Sequence, residues 1–577
     1  MSFTTLEVQS NGSTNISRAE VVDLLDNLIW FRTPSSYRLY DTDGGETINS
    51  TISNLNWATG HYEWREGGGG DPDNGTYNSG TGGDYVNIGD VEAGVWINGV
   101  MIRINNPGGA YLSFPFRRVQ VRRGTGAVWT ETTDLAERGD FTNKRTGFHL
   151  HGLGTFDVTT DRVEARGQTT FGTLDVVRDR RWGLRFGSAT VYNSLYAAAR
   201  PTSATQQQDW YNNVRRNQLR IESRLTAQRY KTGSNQSLTA ATEALVTMGE
   251  TDWSTHASMA PGASFPNLVI SQQSGLYFVQ AQCTHLNYDS GGSFVALAIK
   301  RNATSDIVKS FMPECLTTST AVDTTSHVCD LVSLPEGDYI SAYATSGTAS
   351  TVHASRGTHI TATMMSSDDG VSSGRQRFAQ LPPTAEWPDV AAMSSERLPL
   401  GTMRTISDLT DRCWHRPAFK AEMSDNTDID SGGGWTDIDL DTPLFDYTSL
   451  EATHGVRVFQ GGGLVLPWPG LWMVGGRLQI SQRSSEGPNV GSQGHRGVRI
   501  VTGKNVAAGE VISAAMNAST HSWTRTLAET VVFNADDLEV RLQGLVGGLT
   551  DDGASVPAVA GHIWAVEVGD GITRVPR

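Results

Sequence analysis

Short runs of alternating apolar and polar residues make up most of the chain after about Tyr37, and clusters of Gly, Asn and Asp separate them. Alternation with a period of two is typical of a β-strand with one buried face, and the polar clusters are typical of turns. Residues 274–282, SGLYFVQAQ, are a clear example. The pattern predicts a mainly β protein with many short strands.

Versions of that strand occur three times. The sequence GLYFVQAQ from Gly275 matches GLWMVGGR from Gly470 and, more loosely, GVWINGVM from Gly94. Each glycine is followed by three more landmarks in the same order, namely a strand ending in a turn residue, an Asp that precedes an alternating strand, and a final strand. The turn residues and aspartates are Asn302 and Asp338, Gly503 and Asp537, and Gly124 and Asp161. Their common order and similar spacing predict a triplicated β-domain.

The N-terminal region has the pattern of one helix. Ser17 and Glu20 form a capping box. The apolar residues at helical spacing that follow are Val21, Leu24, Leu25 and Leu28. We expect a short amphipathic helix that buries this stripe on the rest of the chain, on symmetry mates or in a larger assembly.

A second helical pattern lies between the first and second copies of the repeat. Residues 206–230 contain no Gly or Pro. Their apolar stripe consists of Trp210, Val214, Ile221 and Leu225. A short coiled-coil stalk and a single helix packed on a neighbouring domain both fit this stripe.

The landmarks together resemble those of the globular jelly-roll domain of the complement and tumour-necrosis-factor superfamily. The second copy carries the resemblance best, because GLYFV from Gly275 resembles the signature strand of that family and GDY from Gly337 its late turn. The resemblance implies ten-stranded sandwiches of two sheets that assemble as a trimer, with the signature strand near the threefold contact. It assigns a core and trimer role to Leu276, Tyr277, Phe278, Leu471, Trp472, Val95 and Trp96.

The predicted fold is therefore mainly β, with tandem jelly-roll β-sandwiches, a short N-terminal helix and an interdomain helical stalk. The predicted segments are an N-terminal anchoring segment at 1–37, a divergent first jelly-roll-like domain at 38–195, the stalk at 196–232, a second jelly-roll domain at 233–368, an extended linker at 369–415 and a third jelly-roll domain at 416–577.

Composition narrows the function. The formal net charge of −15 argues against a general nucleic-acid binder, and the lack of an apolar run of about 18 residues argues against membrane insertion. The first residues do not have the pattern of a secretory signal. Only six of the 46 basic residues are lysines, as expected from the codon bias of a GC-rich genome. The cysteines lie far apart, and we favour buried free thiols over a disulfide between Cys315 and Cys329.

Candidate catalytic and metal-binding residues are few. His149 and His151 share one strand face, where two imidazoles can bind a metal, but we favour solvated histidines. Asp425, Asp428 and Asp430 offer the oxygen ligands that Ca²⁺ prefers, without the closing Glu of a helix-loop-helix site. The sequence contains no phosphate loop of the Gly-Lys-Ser/Thr type. We expect no enzyme activity, no bound metal and no cofactor.

Modules of the resembled family also cap the fibres of tailed bacteriophages, and the tandem sandwiches, low cysteine content and arginine bias fit that setting. We therefore expect a homotrimeric structural component of a virion, a phage tail fibre or minor tail protein, and we favour the tail over the head. Its N-terminus is expected to dock on other tail or head proteins. Loop aromatics such as Trp435 and Trp523 are candidates for binding a host-cell glycan, with packing between strands as the favoured alternative. The alternative functions are a host-glycan depolymerase of the tail and a head fibre or decoration protein.

Overall fold

The computed structural model of the chain describes 34 β-strands and one turn of 3-10 helix at Ala257–Met259. Between residues 36 and 187 it describes the backbone of ten strands. The other described residues are 225–260, 267–288, 294–313, 322–354, 357–367, 416–430, 434–446, 457–459, 462–481, 494–504, 507–515, 522–533, 535–547 and 555–569. In these residues the prediction of a mainly β protein is confirmed. No helix among them has the length and apolar character needed to cross a membrane.

Three expectations lie outside the described residues. They are the N-terminal helix with Val21, Leu24, Leu25 and Leu28, the stalk positions Trp210, Val214 and Ile221, and the linker at 369–415.

The first sandwich contains two antiparallel sheets. Its strands are β1 (Ser36–Leu39), β2 (Thr76–Tyr77), β3 (Val86–Asp90), β4 (Gly94–Asn105), β5 (Arg117–Arg123), β6 (Ala127–Asp134), β7 (Arg145–His151), β8 (Thr155–Phe156), β9 (Arg162–Thr169) and β10 (Leu174–Gly187). One sheet has the order β1-β10-β4-β7, with β2 beside β10 and β8 beside β4, and the other has the order β3-β9-β5-β6.

The second sandwich repeats this arrangement with more strands. They are β11 (Thr226–Tyr230), β12 (Gln236–Leu238), β13 (Ala244–Leu245), β14 (Glu250–Ser254), β15 (Val269–Ile270), β16 (Gly275–Tyr288), β17 (Phe294–Arg301), β18 (Ser305–Pro313), β19 (Val322–Leu334), β20 (Tyr339–Ser346), β21 (Ser350–Val352) and β22 (His359–Ser367). One sheet has the order β12-β21-β16-β22-β11-β14, with β19 beside β16, and the other has β13-β20-β17-β18, with β15 beside β20.

The third sandwich has the same plan. Its strands are β23 (Ala418–Glu422), β24 (Thr427–Ile429), β25 (Trp435–Asp437), β26 (Thr442–Asp446), β27 (Arg457–Phe459), β28 (Gly463–Val465), β29 (Gly470–Ile480), β30 (Gly494–Thr502), β31 (Ala507–Ala515), β32 (Trp523–Phe533), β33 (Glu539–Gly547) and β34 (Val556–Gly569). One sheet has the order β32-β29-β34-β23-β26, with β24 beside β34, and the other has β27-β28-β33-β30-β31, with β25 beside β33.

The sequence landmarks fall on equivalent strands in the three sandwiches. The signature glycines Gly94, Gly275 and Gly470 each begin a long strand, β4, β16 or β29. Each of these strands lies between the final strand of its sandwich (β10, β22 or β34) and an edge strand (β7, β19 or β32). We call the sheet with the signature strand the inner sheet and the other one the outer sheet.

The turn landmark and the aspartate landmark of the second sandwich touch in space. In the second sandwich Asn302 has a positive φ of 51°, a conformation that Asn tolerates better than most residues. Its Nδ2 donates to Asp338 Oδ1 at 2.8 Å, and its Oδ1 accepts from Tyr339 N at 3.0 Å. Arg301 also forms an ion pair with Asp338. The contact joins the end of β17 to the start of β20.

One prediction about the stalk is wrong. Thr226–Tyr230, the end of the predicted helix, is strand β11, and Leu225 is fully buried in the core of the second sandwich. β11 pairs with β22 on one side and β14 on the other. These long-range hydrogen bonds and the burial outweigh the local helical pattern, which is a weak prior. Residues 225–230 therefore belong to the second sandwich and not to a helical stalk.

The three sandwiches meet in one repeated manner. An edge strand of the outer sheet lies beside an edge strand of the next inner sheet: β18 beside β32, β31 beside β7, and β6 beside β19. At the first of these contacts Phe311 pairs with Thr524, which joins two sheets into one of eleven strands. Contacts of the head-to-tail type close into a ring when the rotation allows it, and here the second sandwich leads to the third, the third to the first and the first to the second.

Candidate functional site

The signature strands of the second and third sandwiches are buried on both faces. On one face Tyr277 and Val279 lie in the core of the second sandwich, and Trp472 lies in the core of the third. The Tyr277 hydroxyl donates to Gln273 O at 2.7 Å, which satisfies its polar atom. Trp472 stacks on Phe419 with ring centroids 5.5 Å apart. The opposite face of each strand belongs to a separate apolar cluster.

That cluster joins the second sandwich to the third, and we call it the apolar joint. Its members are Leu276, Phe278, Cys329, Leu331 and Met365 from the second sandwich and Ala418, Leu471, Met473, Ala528, Trp564, Val566 and Val568 from the third. The rings of Phe278 and Trp564 are tilted by 57°, with centroids 5.9 Å apart. Burying large apolar side chains of this kind contributes about 1.5–3 kcal/mol each.

A glycine makes room for the largest side chain of the apolar joint. A Cβ at Gly475 would lie 2.1 Å from Trp564 Cζ2, far inside contact distance. Gly475 and Trp564 are directly paired across β29 and β34. The missing side chain lets the indole lie flat over the signature strand, a close approach for which glycine is used in strand interiors.

A buried charged cluster lies beside the apolar joint, and we call it the joint triad: Asp330, Lys420 and His562. Asp330 comes from β19 of the second sandwich and is fully buried. Lys420 Nζ lies 2.6 Å from Asp330 Oδ2 and also donates to Leu331 O at 3.1 Å. His562 Nε2 lies 3.1 Å from Asp330 Oδ1. The same oxygen accepts from Leu331 N at 2.8 Å, so both carboxylate oxygens have donors.

The joint triad stabilises the ionised form of the Asp330 carboxylate although this group is fully buried. Burial raises the pKa of Asp330, but the neighbouring His562 and Lys420 outweigh that effect and hold the pKa below its usual range. Burial lowers the pKa of His562 to about 4, although Asp330 acts in the opposite direction. The imidazole is thus neutral near pH 7, and its Nε2 carries the proton that it donates to the carboxylate.

Two hydrogen bonds extend the joint along the sandwich edges. Thr526 Oγ1 accepts from Cys329 N at 3.0 Å, and Ser310 Oγ donates to Thr524 O at 3.3 Å. An edge strand exposes backbone groups that need partners. Here side chains on the edge strands of the neighbouring sandwich supply those partners.

The predicted core and trimer residues divide between these surfaces. Leu276, Phe278 and Leu471 lie in the apolar joint, whereas Tyr277 and Trp472 lie in the sandwich cores. Val95 and Trp96 lie in β4, whose backbone alone is described. The family resemblance assigns this strand to a contact among three chains. In the structure β16 and β29, the signature strands of the second and third sandwiches, pack against the other sandwich of the same chain.

The candidate metal ligands do not come together as a site. Asp425, Asp428 and Asp430 are exposed, and no three His, Cys, Asp or Glu side chains of the described residues are grouped as metal ligands. His149 and His151 lie in β7, paired with Met101 and Gly99 of β4, where the description is limited to the backbone.

The aromatic and cysteine candidates are mostly packed. Trp523 is fully buried, and Trp435 lies under the Arg499 guanidinium at 4.3 Å. Cys283 and Cys329 are buried free thiols, and burial raises the pKa of both. Cys315 lies outside the described residues.

The joint triad was missed by the sequence reasoning, although a signal for it exists. Asp330 interrupts an otherwise apolar strand, VCDLV, and Lys420 interrupts AFKA. A charged residue inside an apolar strand is costly unless it is paired. Such an interruption predicts that the charged residue has a buried partner. It does not identify the partners, because Lys420 and His562 lie 90 and 232 positions from Asp330 in the sequence.

Comparison with known proteins gives only distant similarity. No known family model matches the chain, and no curated protein matches it. Among solved structures it is similar to an Eiger TNF from S. frugiperda, with 15% identity, 25% of this chain and 94% of that chain covered, and a TM-score of 0.21. It is also similar to murine APRIL, with 11% identity, 24% and 98% coverage, and a TM-score of 0.18.

Proposed function

We propose that this chain is a non-enzymatic structural component of a virion, a phage tail fibre or minor tail protein that presents three jelly-roll sandwiches as one body. The observation that carries the proposal is the double burial of the signature strands. Their second face is used in the apolar joint, so the packing of sandwich against sandwich is the principal task of these residues. The tandem repeats and the composition support the virion setting.

We further propose that one chain supplies the complete threefold arrangement. The head-to-tail contacts run from each sandwich to the next within the chain, and they leave the apolar joint covered. A homotrimer built through the signature strands would have to expose that joint. Native mass spectrometry tests the proposal: we expect the mass of one chain, 62.4 kDa. A species of three chains that dissociates when Phe278 or Met473 is replaced would contradict it and support the homotrimer.

The attachment of the protein to a particle is tested by deletion. Removing residues 1–35 should leave the sandwiches folded, because these residues precede the first described strand, and should prevent incorporation into particles. The full chain and the shortened chain are expressed alongside assembling particles, which are then purified and probed for the protein. Particles that carry the shortened chain at the level of the full chain would contradict the N-terminal anchor.

The same preparation separates a structural protein from a depolymerase. Purified protein is incubated with envelope glycans of the host, and both binding and release of shorter oligosaccharides are measured. We expect no turnover, with binding strengthened by the number of particle-borne copies. Turnover that is lost on a single Asp or Glu substitution would overturn the structural proposal.

A further inference from the structure

The three inner sheets can be compared residue by residue, because their signature glycines set a common register. Five residues after that glycine, each signature strand pairs with the final strand. The pairs at this position are Gly475 with Trp564 in the third sandwich, Gly99 with Trp182 in the first and Gln280 with Thr361 in the second. The first and third sandwiches therefore share a Trp opposite a Gly, and the second differs from both.

The basic members of the joint triad have equivalents at the same register. Lys420 pairs with Trp564, and the position that pairs with Trp182 in the first sandwich is Arg38. His562 lies two residues before Trp564, and Arg180 lies two residues before Trp182. In the second sandwich the two equivalent positions are Gln228 and His359. At these register positions the inner sheets of the first and third sandwiches have basic residues. The inner sheet of the second sandwich has the neutral amide of Gln228 in place of Lys420.

The acidic member of the joint triad has an equivalent on the third sandwich. Asp330 pairs with Val279, four residues after the signature glycine, and Glu529 pairs with Val474, also four residues after it. Glu529 is 1% exposed. On the first sandwich the register ends with His151 opposite Gly99, and the next residue in the sequence is Gly152. Two edges thus carry a buried carboxylate, and the sequence of the first edge has none at that position.

We propose that Glu529 docks on Arg38 and Arg180 of the first sandwich and closes the ring, as Asp330 docks on Lys420 and His562. β31 and β32 lie beside β7, so the edge that carries Glu529 faces the first sandwich. A buried carboxylate is strongly unfavourable without a cationic partner, and arginine stays charged when it is buried. The acidic edges then meet the two basic faces, and the edge without a carboxylate meets the neutral face of the second sandwich.

This pairing determines the order of the sandwiches around the ring. If the second sandwich of one chain docked on the second sandwich of another chain, Asp330 would lie against Gln228. The carboxylate would then have no ammonium partner. A third sandwich placed on its neighbour's second sandwich would do the same to Glu529. A mismatch of this kind penalises a wrong partner and leaves the right one unaffected, so the ion pairs select which sandwich meets which around the ring.

The test is a double-mutant cycle on the full chain. Glu529→Gln, Arg38→Gln and the double variant are compared by amide hydrogen exchange in β7, β31 and β32, with β18 at the other joint as the internal reference. We expect each single variant to raise the exchange rate in these strands about tenfold or more. The double variant should raise it by much less than the product of the two single effects. The matched control is Lys504→Gln, which removes an exposed ion pair with Asp536 in the same sandwich and should leave exchange unchanged.

A charge reversal completes the test. Glu529→Lys places like charges at the joint and should release the first sandwich, whereas Glu529→Lys combined with Arg38→Glu should restore protection. The proposal is overturned if Glu529→Gln changes exchange no more than Lys504→Gln does. It is also overturned if the effects of Glu529→Gln and Arg38→Gln on the exchange rate multiply as independent effects would. This measurement uses only the glutamine variants, so it remains valid when the charge-reversed variants do not fold.

Discussion

In both the second and the third sandwich, the face of the inner sheet that points away from the sandwich core is buried. The residues on this face differ in chemistry between the two sandwiches. The third presents Trp564 and Val566, with Lys420 at its side. Beside Leu276 and Phe278, the second presents hydroxyls and amides that bond to one another: the Oγ1 atoms of Thr226 and Thr363 are 2.8 Å apart, and Thr361 Oγ1 donates to Gln228 Oε1 at 2.8 Å.

The difference shows that the fold does not require a particular chemistry on this face. Apolar packing is non-directional and scales with area, whereas a buried polar network holds only when its members are paired. The third face accepts the buried carboxylate of Asp330 because it carries Lys420 and His562. If the sandwiches carried the same residues on this face, no difference in contact free energy would favour one neighbour over another.

The largest expected effect is at Lys420 of the third sandwich, because the equivalent position of the second sandwich, Gln228, has no ammonium group. Lys420→Met leaves Asp330 buried without its ion pair, and we expect the free energy of unfolding at pH 7 to fall by about 3–5 kcal/mol. Denaturant titration measures it. The matched variant is Gln228→Met, which removes one neutral hydrogen bond from the second face and should cost about 1 kcal/mol. Equal losses in the two variants would contradict the comparison.

Acid should weaken the joint next most strongly. The folded-state pKa of His562 is about 4, so between pH 6.5 and 4 the unfolded chain binds a proton that the folded chain does not. The imidazole of His562 alone should therefore lower the free energy of unfolding by about 3 kcal/mol over that window. Asp330, with its lowered pKa, adds a further loss below about pH 3.8.

The pH window is assigned by substitution. His562→Gln keeps a donor for Asp330 and removes the titration, so its stability should vary less between pH 6.5 and 4. His285, inside the second sandwich, has a pKa lowered to about 4 by burial, and His285→Gln should remove a separate part of the same slope. A slope unchanged by His562→Gln would show that the imidazole at the joint does not titrate as described.

A smaller effect is expected at the Trp and Gly pair. Gly475→Ala sets a Cβ against Trp564, and overpacking of this kind costs about 1–3 kcal/mol. The equivalent substitution on the second face, Gln280→Ala, removes a 3.2 Å bond to Thr361 without creating a clash. Thermal unfolding of both variants compares them, with near-ultraviolet circular dichroism to follow the indole. A Gly475→Ala protein as stable as the parent would mean that Trp564 can move aside.

The fold was largely predictable from local pattern. Strands recur where alternation and turn residues coincide, and Gly94, Gly275 and Gly470 each begin a signature strand because a period of two is visible in any window of eight residues. The stalk prediction failed at Leu225, where helical spacing over a short stretch competes with pairing to a strand more than 130 residues away. Local propensity cannot register such a partner.

The sequence by itself determined the alternating strands, the turns between them and the threefold repetition of one strand plan, because these depend on residues close together in the chain. Only the tertiary structure decided what covers the second face of the signature strands β16 and β29 and which residues neutralise Asp330. Those answers depend on contacts between positions far apart in the chain, such as Asp330 and His562. The free energy of a buried charge is set by the atoms around it, and their identity is known only once the sandwiches have met.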